Sequence, residues 1–479
     1  MKLSCLIDDM PIELRDLEIA GVTCDSRKVE PGFAFVCIKG TSQDGHMFAE
    51  DAAKKGAAII IAQKDMGLTN QVIVEDTRKV YARMCARWFG EPAKELKLVG
   101  VTGTNGKTSV SYMLKSILEE NGFKTGLIGT IQNMIGDEVI SAKNTTPDAY
   151  ELHSLLRSMR DSGCEYVVME VSSHALDQDR VYGLEYEAAM FTNLTQDHLD
   201  YHETMENYLQ SKRKLFKMCK TAIINYDDPY STQLCEGLTC KIVTYSLKND
   251  HATYTAKNIT YRPNGVDFEM VGFGVISRVR LKTVGEFSVY NAMCAGVCAV
   301  SMGFPLVSVA NALSNMPGVK GRAEVVPTDK NFSVIIDYAH TPDGLENILK
   351  TFSNVPRNRL VVLFGCGGDR DRKKRPLMGA IAARLADFVI VTSDNPRTEE
   401  PMAIIEDILE GMKNFKTPYV VIENRVEAIE YAIENAQEND IIVLAGKGHE
   451  TYQILKTGTI HLDEREIVAR ALAKKNNSN

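Results

Sequence analysis

The hydrophobic positions fall into three blocks. Up to residue 92, short β-rich runs at 33–38 and 57–62 precede a helix-like stretch that continues through Trp88, and Gly90-Glu91-Pro92 reads as a turn. The second block opens with a largely apolar run at 96–101, short enough for a strand. A glycine-rich loop follows it, then a helix on which Val110, Met113, Leu114, Ile117 and Leu118 recur at helical spacing. Strand-like runs at 166–171, 188–194 and 222–225 continue the alternation, which predicts a mostly parallel sheet. A second break falls at Asn315-Met316-Pro317-Gly318. Beyond it, strands at 333–336, 360–364, 388–392, 419–422 and 441–445, with helical patterns between them, predict a second doubly wound α/β domain. The pattern is that of an α/β protein in three parts: 1–92, 93–317 and 318–479.

Polar clusters sit directly after the strands of the last part. They are Asp337-Tyr338-Ala339-His340, Gly365-Cys366-Gly367-Gly368-Asp369-Arg370, Asp394-Asn395-Pro396-Arg397 and Gly446-Lys447-Gly448-His449-Glu450. Open α/β sheets bind ligands beyond the carboxyl ends of their strands, so four such clusters predict one composite site.

Composition narrows the class. With 63 acidic and 55 basic side chains the formal charge is -8, which excludes a protein whose main task is to coat nucleic acid. No apolar run reaches the ~18 to 20 residues that span a bilayer, and the first residues lack a signal-peptide layout, so the expected location is the cytoplasm. The 11 cysteines are odd in number, scattered and without a CxxC pair, in keeping with a reducing compartment. Cys294 and Cys298 share a helical face, as core packing requires.

Candidate chemistry begins at Gly103-Thr104-Asn105-Gly106-Lys107-Thr108-Ser109, between the strand at 96–101 and the following helix. Such a loop offers amides and a helix N-terminus to phosphate oxygens, Lys107 offers a positive charge, and the Thr108 hydroxyl can ligate Mg²⁺. The usual first glycine is replaced by Val101, so a plain glycine-rich turn is the alternative. Glu170, near the end of its strand, can hold the same Mg²⁺ or stand as a solvated strand-end carboxylate. Asp197-His198-Leu199-Asp200-Tyr201-His202 places two histidines at i and i+4; without a third ligand, a role for His198 near Mg²⁺ is favoured over a zinc site. Lys212, in Ser211-Lys212-Arg213-Lys214, reads by composition as a solvated basic patch.

Taken together, GTNGKTS, Asn144-Thr145-Thr146-Pro147, MEVSSHAL, DHLDYH, Lys212, GEFSVYN, GRAE, DYAHTPD, FGCGGDRDRKKRP, SDNPR and AGKGHE stand in the order found in the Mur ligases, and the chain resembles that family from about residue 25 to 450. The resemblance is greatest to the branch that adds the third residue of the peptidoglycan peptide. It implies an N-terminal domain for a uridine nucleotide, a central P-loop ATPase-like domain and a C-terminal Rossmann-like domain that closes over the site, in a monomer. It implies an amide ligase, acting through an acyl phosphate, with ATP as co-substrate and Mg²⁺ as metal. Lys107, Lys212 and His198 would be catalytic, Thr108, Glu170 and His198 would serve the metal, and Lys212 would carry a CO₂-derived carbamate that can bind a second Mg²⁺. Such chemistry calls for a lysine whose pKa is lowered by its surroundings.

The resemblance further implies that Ser26, Asn144, Thr145, Thr146, Ser172, Gln178 and Arg180 hold a UDP-N-acetylmuramoyl dipeptide. Asn291, Arg322 and Asp337 would join the loop residues on ATP. Arg370, Asp394, Asn395, Pro396, Arg397, Gly446 and Glu450 would hold diaminopimelate. The stretch Thr41-Ser42-Gln43 departs from the family pattern. Diaminopimelate differs from lysine by one carboxylate, which Arg397 can meet with two hydrogen bonds while Glu450 accepts from an ammonium; lysine is the alternative substrate. A folylpolyglutamate synthetase would need neither the N-terminal part nor the DNPR pattern. A dinucleotide oxidoreductase built on Gly365-Cys366-Gly367 lacks its third glycine, and a nucleotide switch without chemistry would not need the C-terminal clusters.

Overall fold

The computed structural model describes residues 1–8, 10–40, 43–353 and 355–477, so Thr41 and Ser42 lie outside the described residues. The chain forms two compact units, Met1–Thr255 with Met293–Val309 and Ala256–Ala292 with Ala310–Asn479.

The first unit begins with a four-stranded parallel sheet, β1 (Gly21–Thr23), β2 (Phe33–Val36), β3 (Ile59–Ala62) and β4 (Gln71–Ile73), in that order. The helix Thr77–Trp88 starts where the Asp76 carboxylate accepts from the amides of Arg78 and Lys79. Arg78 donates to the carbonyls of Lys39 (2.6 Å) and Gln178 (3.4 Å), and Arg83 to the Tyr182 hydroxyl (2.9 Å), tying this sheet to the larger one that follows.

That larger sheet comprises β5 (Lys97–Thr102), β6 (Thr125–Ile128), β7 (Asn133–Ile135), β8 (Glu138–Ile140), β9 (Tyr166–Glu170), β10 (Tyr186–Phe191), β11 (Cys219–Asn225) and β12 (Lys241–Ser246). Their order is β12-β11-β10-β5-β9-β6-β7-β8, parallel from β12 to β6. Strands β5 and β9 are central and buried almost throughout, as continuous apolar runs covered on both faces must be. Their carboxyl ends carry the glycine-rich loop and Glu170.

The parallel expectation needs correction at the edges. β7 and β8 pair antiparallel, and β13 (Tyr254–Arg262) leads into an antiparallel hairpin of β14 (Gly265–Gly272) and β15 (Val275–Leu281). Residues in β14 and β15 alternate between buried and exposed, the mark of a sheet with one solvated face, and this period was not read from the apolar runs.

The second unit holds a six-stranded sheet of β16 (Glu324–Val326), β17 (Ser333–Asp337), β18 (Leu360–Phe364), β19 (Phe388–Val391), β20 (Tyr419–Val421) and β21 (Ile441–Ala445), in the order β16-β17-β21-β18-β19-β20. Only β16 runs antiparallel. The chain returns to insert β21 between β17 and β18, so the loops after β17, β21, β18 and β19 leave one edge side by side. A hairpin of β22 (Tyr452–Leu455) and β23 (Gly458–His461) follows.

Candidate active site

Strand β5 ends in the loop that turns into the helix Lys107–Glu120. Gly103 has φ +148° and a Cβ there would overlap the Thr192 hydroxyl, so only glycine fits. The loop is pinned from the chain after β10: the Thr104 amide donates to the Asn193 carbonyl at 2.8 Å and the Asn105 amide to Asn193 Oδ1 at 2.9 Å. Lys107 Nζ folds back onto the carbonyls of Gly103 and Thr104, both at 2.8 Å. Thr108 is buried and Ser109 half-buried at the start of the helix.

Glu170 is fully buried at the end of β9. Its carboxylate accepts from the Thr108 hydroxyl (3.1 Å), the Thr130 hydroxyl (2.8 Å) and the Thr130 amide (2.9 Å). None of these donors is a cation. A buried carboxylate flanked by hydroxyls and lacking a charged partner has the donor chemistry of a Mg²⁺ ligand, so the residues present fit that ion. Thr130 was missed in the sequence; its only signal is its place just after β6, in line with the residue that ends β9.

Lys212 departs from the solvated-patch reading. It lies on the inner face of the helix Met205–Phe216 with 1% exposure, 4.3 Å from the centre of the Tyr208 ring, and its Nζ donates to the Gly103 carbonyl at 2.9 Å. Lys107 uses that same oxygen. Burial, reinforced by the charge of Lys107, pushes the Lys212 amine well below its ordinary pKa.

The histidine pair also differs from expectation. His198 has φ +54° and stands before the helix Leu199–His202, so the two rings do not project from a shared helical face. His202 is buried between the hydroxyls of Ser173 (2.9 Å) and Ser211 (3.4 Å), with its pKa lowered to about 4 by burial. His198 is half-exposed, 4.9 Å from the His174 ring, and burial again lowers its pKa. Among the described residues no group of three His, Cys, Asp or Glu side chains is arranged to hold a metal.

Beside Glu170, the Thr146 hydroxyl donates to the Glu170 carbonyl at 2.9 Å and accepts from the Ser172 amide at 3.0 Å, and Thr145 meets Thr130 at 3.0 Å. Arg180 donates to the Thr146 carbonyl (2.9 Å) and to Gln178 Oε1 (2.7 and 3.0 Å). These five candidates share one surface. Asn144 is exposed nearby in the chain, and Ser26 lies in the short turn after β1, its carbonyl accepting from Lys55 at 2.7 Å.

In the second unit the four clusters meet. The Gly446 amide donates to the Asp337 carbonyl (3.0 Å), the Gly368 amide to the Asn395 carbonyl (2.9 Å), and Asn395 Nδ2 to Glu450 Oε2 (3.0 Å). Gly446 has φ +115°, and a Cβ would come within 2.7 Å of the Asp394 carboxylate. Arg397, in left-handed backbone, donates through Nη1 to the carbonyls of Gly368 (2.8 Å) and Asn395 (3.4 Å); among the described residues it has no ion pair. Pro396 is buried beside it. Arg370 is exposed, its guanidinium on the Asp369 carbonyl, so it is not drawn into this network. Arg322 lies 4.8 Å from the centre of the Tyr338 ring, and Asp337 accepts from the amides of Ala323 (2.7 Å) and Ala339 (2.8 Å). Asn291 is buried on the helix Glu286–Ser301.

A nucleotide-type loop in one α/β unit, with a charged pocket beyond the strands of another, is the layout of a two-substrate ligase. The family descriptions agree: "Mur ligase family, catalytic domain" matches residues 18–88, "Mur ligase middle domain" residues 101–299, and "Mur ligase, glutamate ligase domain" residues 321–448. The chain belongs to the Mur ligase family, with its three-domain architecture. It is 49% identical to the UDP-N-acetylmuramoyl-L-alanyl-D-glutamate--2,6-diaminopimelate ligase of Caldanaerobacter subterraneus subsp. tengcongensis, over 99% of each chain. It is 48% identical to the enzyme of the same name from Clostridium perfringens, over 94% of each. A solved structure of a ligase of that name covers 99% of both chains with a TM-score of 0.76 at 33% identity.

Proposed function

We propose that this chain is an ATP-dependent amide ligase that joins meso-2,6-diaminopimelate to UDP-N-acetylmuramoyl-L-alanyl-D-glutamate in peptidoglycan precursor synthesis. The observation that carries the reading is the pocket of the second unit. There a guanidinium without an ion pair among the described residues and a carboxylate bound through one oxygen, Glu450, belong to one loop network. A diamino acid with a carboxylate beside its distal ammonium complements both, whereas lysine would leave Arg397 unmatched.

The reaction joins two anions before it joins an amine. The D-Glu carboxylate attacks the γ-phosphorus of ATP, an oxygen–phosphorus bond forms, and ADP leaves. The amine of diaminopimelate then attacks the acyl carbon, phosphate departs and the nitrogen loses a proton. Lys107 and the amides of residues 103–108 would stabilise phosphate charge, with Arg322, Asp337 and Asn291 as the other ATP contacts. Ser26, Asn144, Thr145, Thr146, Ser172, Gln178 and Arg180 would orient the nucleotide-sugar dipeptide. Thr108, Glu170 and His198 would hold Mg²⁺, which would neutralise phosphate charge, and Lys212, once carboxylated, would hold a second Mg²⁺. The neutral amine favoured by burial at Lys212 is the form to which CO₂ adds, with loss of one proton. Domain edges near residues 92 and 317 would separate the nucleotide-sugar, ATP and amino-acid tasks. Eleven free thiols support a reducing, cytoplasmic setting.

The test is phosphate release measured with each component omitted in turn, and with diaminopimelate and lysine side by side. Release should require ATP, Mg²⁺, the dipeptide nucleotide and diaminopimelate together. Release that persists without an amino acid, or that runs as fast with lysine, overturns the reading.

A further inference from the structure

Lys447 is a cation that neither the phosphate loop nor the assigned pocket residues account for. It follows β21 and is fully buried. Its Nζ donates to Asn395 Oδ1 at 2.8 Å and to Glu450 Oε2 at 3.0 Å, lies 3.6 Å from Asp394 Oδ1, and stands 5.7 Å from the centre of the Tyr452 ring. Asn395 Oδ1 also accepts from the Ile454 amide at 2.9 Å, and Asn395 Nδ2 donates to the same Glu450 oxygen that Lys447 uses. Two carboxylates therefore converge on one ammonium.

The neighbouring charges do not alter that count. Arg425 and Glu464, both fully buried, pair with each other at 2.8 Å, and Arg425 spends its remaining donors on the carbonyls of Ala445 (2.8 Å) and Ser393 (3.4 Å). Arg397 rests on carbonyl oxygens. Setting the Arg397 guanidinium apart, Asp394, Glu450 and Lys447 leave one negative charge in a largely buried corner, and Glu450 Oε1 has no hydrogen-bond donor among the described residues. A buried ammonium is hard to keep where an apolar side chain of similar size would pack, so its retention calls for a use beyond stability.

We propose that Lys447 is a positioning residue for amino-acid recognition. It fixes Asn395 and one oxygen of Glu450 and offsets one of two carboxylates, so that the end of the pocket away from the Arg397 guanidinium presents one uncompensated negative charge, and one open carboxylate oxygen, to an ammonium of the incoming diamino acid. This inference rests on the diaminopimelate reading. Without Lys447, Asp394 and Glu450 would repel each other, Glu450 would swing away, and the ammonium would lose its partner.

Lys447→Met keeps most of the side-chain volume and removes the charge. The full-length variant should raise the KM for diaminopimelate at least tenfold, with the KM for ATP within twofold of wild type. The two-residue variant Lys447→Met/Glu450→Gln removes one charge of each sign and serves even if the single variant does not fold. If Lys447 acts through Glu450, its KM for diaminopimelate should lie within threefold of Glu450→Gln alone. A folded Lys447→Met with an unmoved KM for diaminopimelate, equal rises for both substrates, or a further large rise in the double variant over Glu450→Gln overturns the proposal. Wild-type enzyme that does not turn over diaminopimelate overturns instead the functional reading on which it rests.

Discussion

A lysine amine with 1% exposure that shares a carbonyl with a second lysine loses its proton more readily than one in water. The sign for stability follows. Above the lowered pKa of folded Lys212 and below the 10.5 of an ordinary lysine, the unfolded chain binds the extra proton, so folding strengthens as pH rises through that window. Chemical denaturation of the bicarbonate-free protein between pH 7 and 10 should show a gain that is smaller in Lys212→Met; identical pH slopes would mean the amine is charged in the fold. Arg397 bears on binding rather than stability. Each hydrogen bond from a charged group contributes about 1.5 to 3 kcal/mol, so Arg397→Ala should raise the KM for diaminopimelate about 10- to 150-fold while the KM for ATP moves less than twofold. Comparable losses for both substrates would count against the pocket. Lys212 also marks a limit of reading residues singly: its neighbours Arg213 and Lys214 make it look solvated, and only the helix phase turns it inward.

Among the elements, the helix Arg425–Glu434 and the C-terminal helix Glu464–Asn477 are joined at their first residues by the Arg425–Glu464 pair. Removing one partner of a buried pair leaves the other uncompensated and typically costs about 3 to 5 kcal/mol. Arg425→Met should therefore lower the melting temperature by several degrees. Burial raises the Glu464 pKa, with Arg425 opposing, so the orphaned carboxyl should take up a proton and the loss should be smaller near pH 5 than near pH 8. A pH-independent loss would assign the pair a packing role only. The parallel strands were legible because five-residue apolar runs such as 360–364 and 441–445 are hard to place anywhere but a covered sheet. β13 to β15 were not, since half-buried alternation yields no such run. The insertion of β21 between β17 and β18 depends on long-range pairing that no local pattern records.

For the whole molecule, a charge of -8 opposes ligands that are themselves anions, and on the proposed reading attraction would come from placed groups such as Lys107, Arg180, Arg322 and Arg397. Raising ionic strength from about 10 to about 150 mM shortens the screening length from about 30 to about 8 Å. Stopped-flow association of the nucleotide substrate should then stay level or quicken; a tenfold slowing would reveal a long-range attractive field. The four loop clusters were readable as neighbours from their places after strands, but the lack of an ion pair at Arg397 among the described residues and the carboxylates around Lys447 depend on side-chain directions that no local pattern records. The depth of Lys212 has a practical corollary. Isocyanic acid, present in aged urea, matches carbon dioxide in shape and attacks the same unprotonated amines, but it leaves a neutral urea that does not fall off. Folded enzyme held in dilute cyanate near neutral pH, where exposed lysines stay protonated, should lose activity that bicarbonate cannot restore, with the adduct that tracks the loss mapping to Lys212.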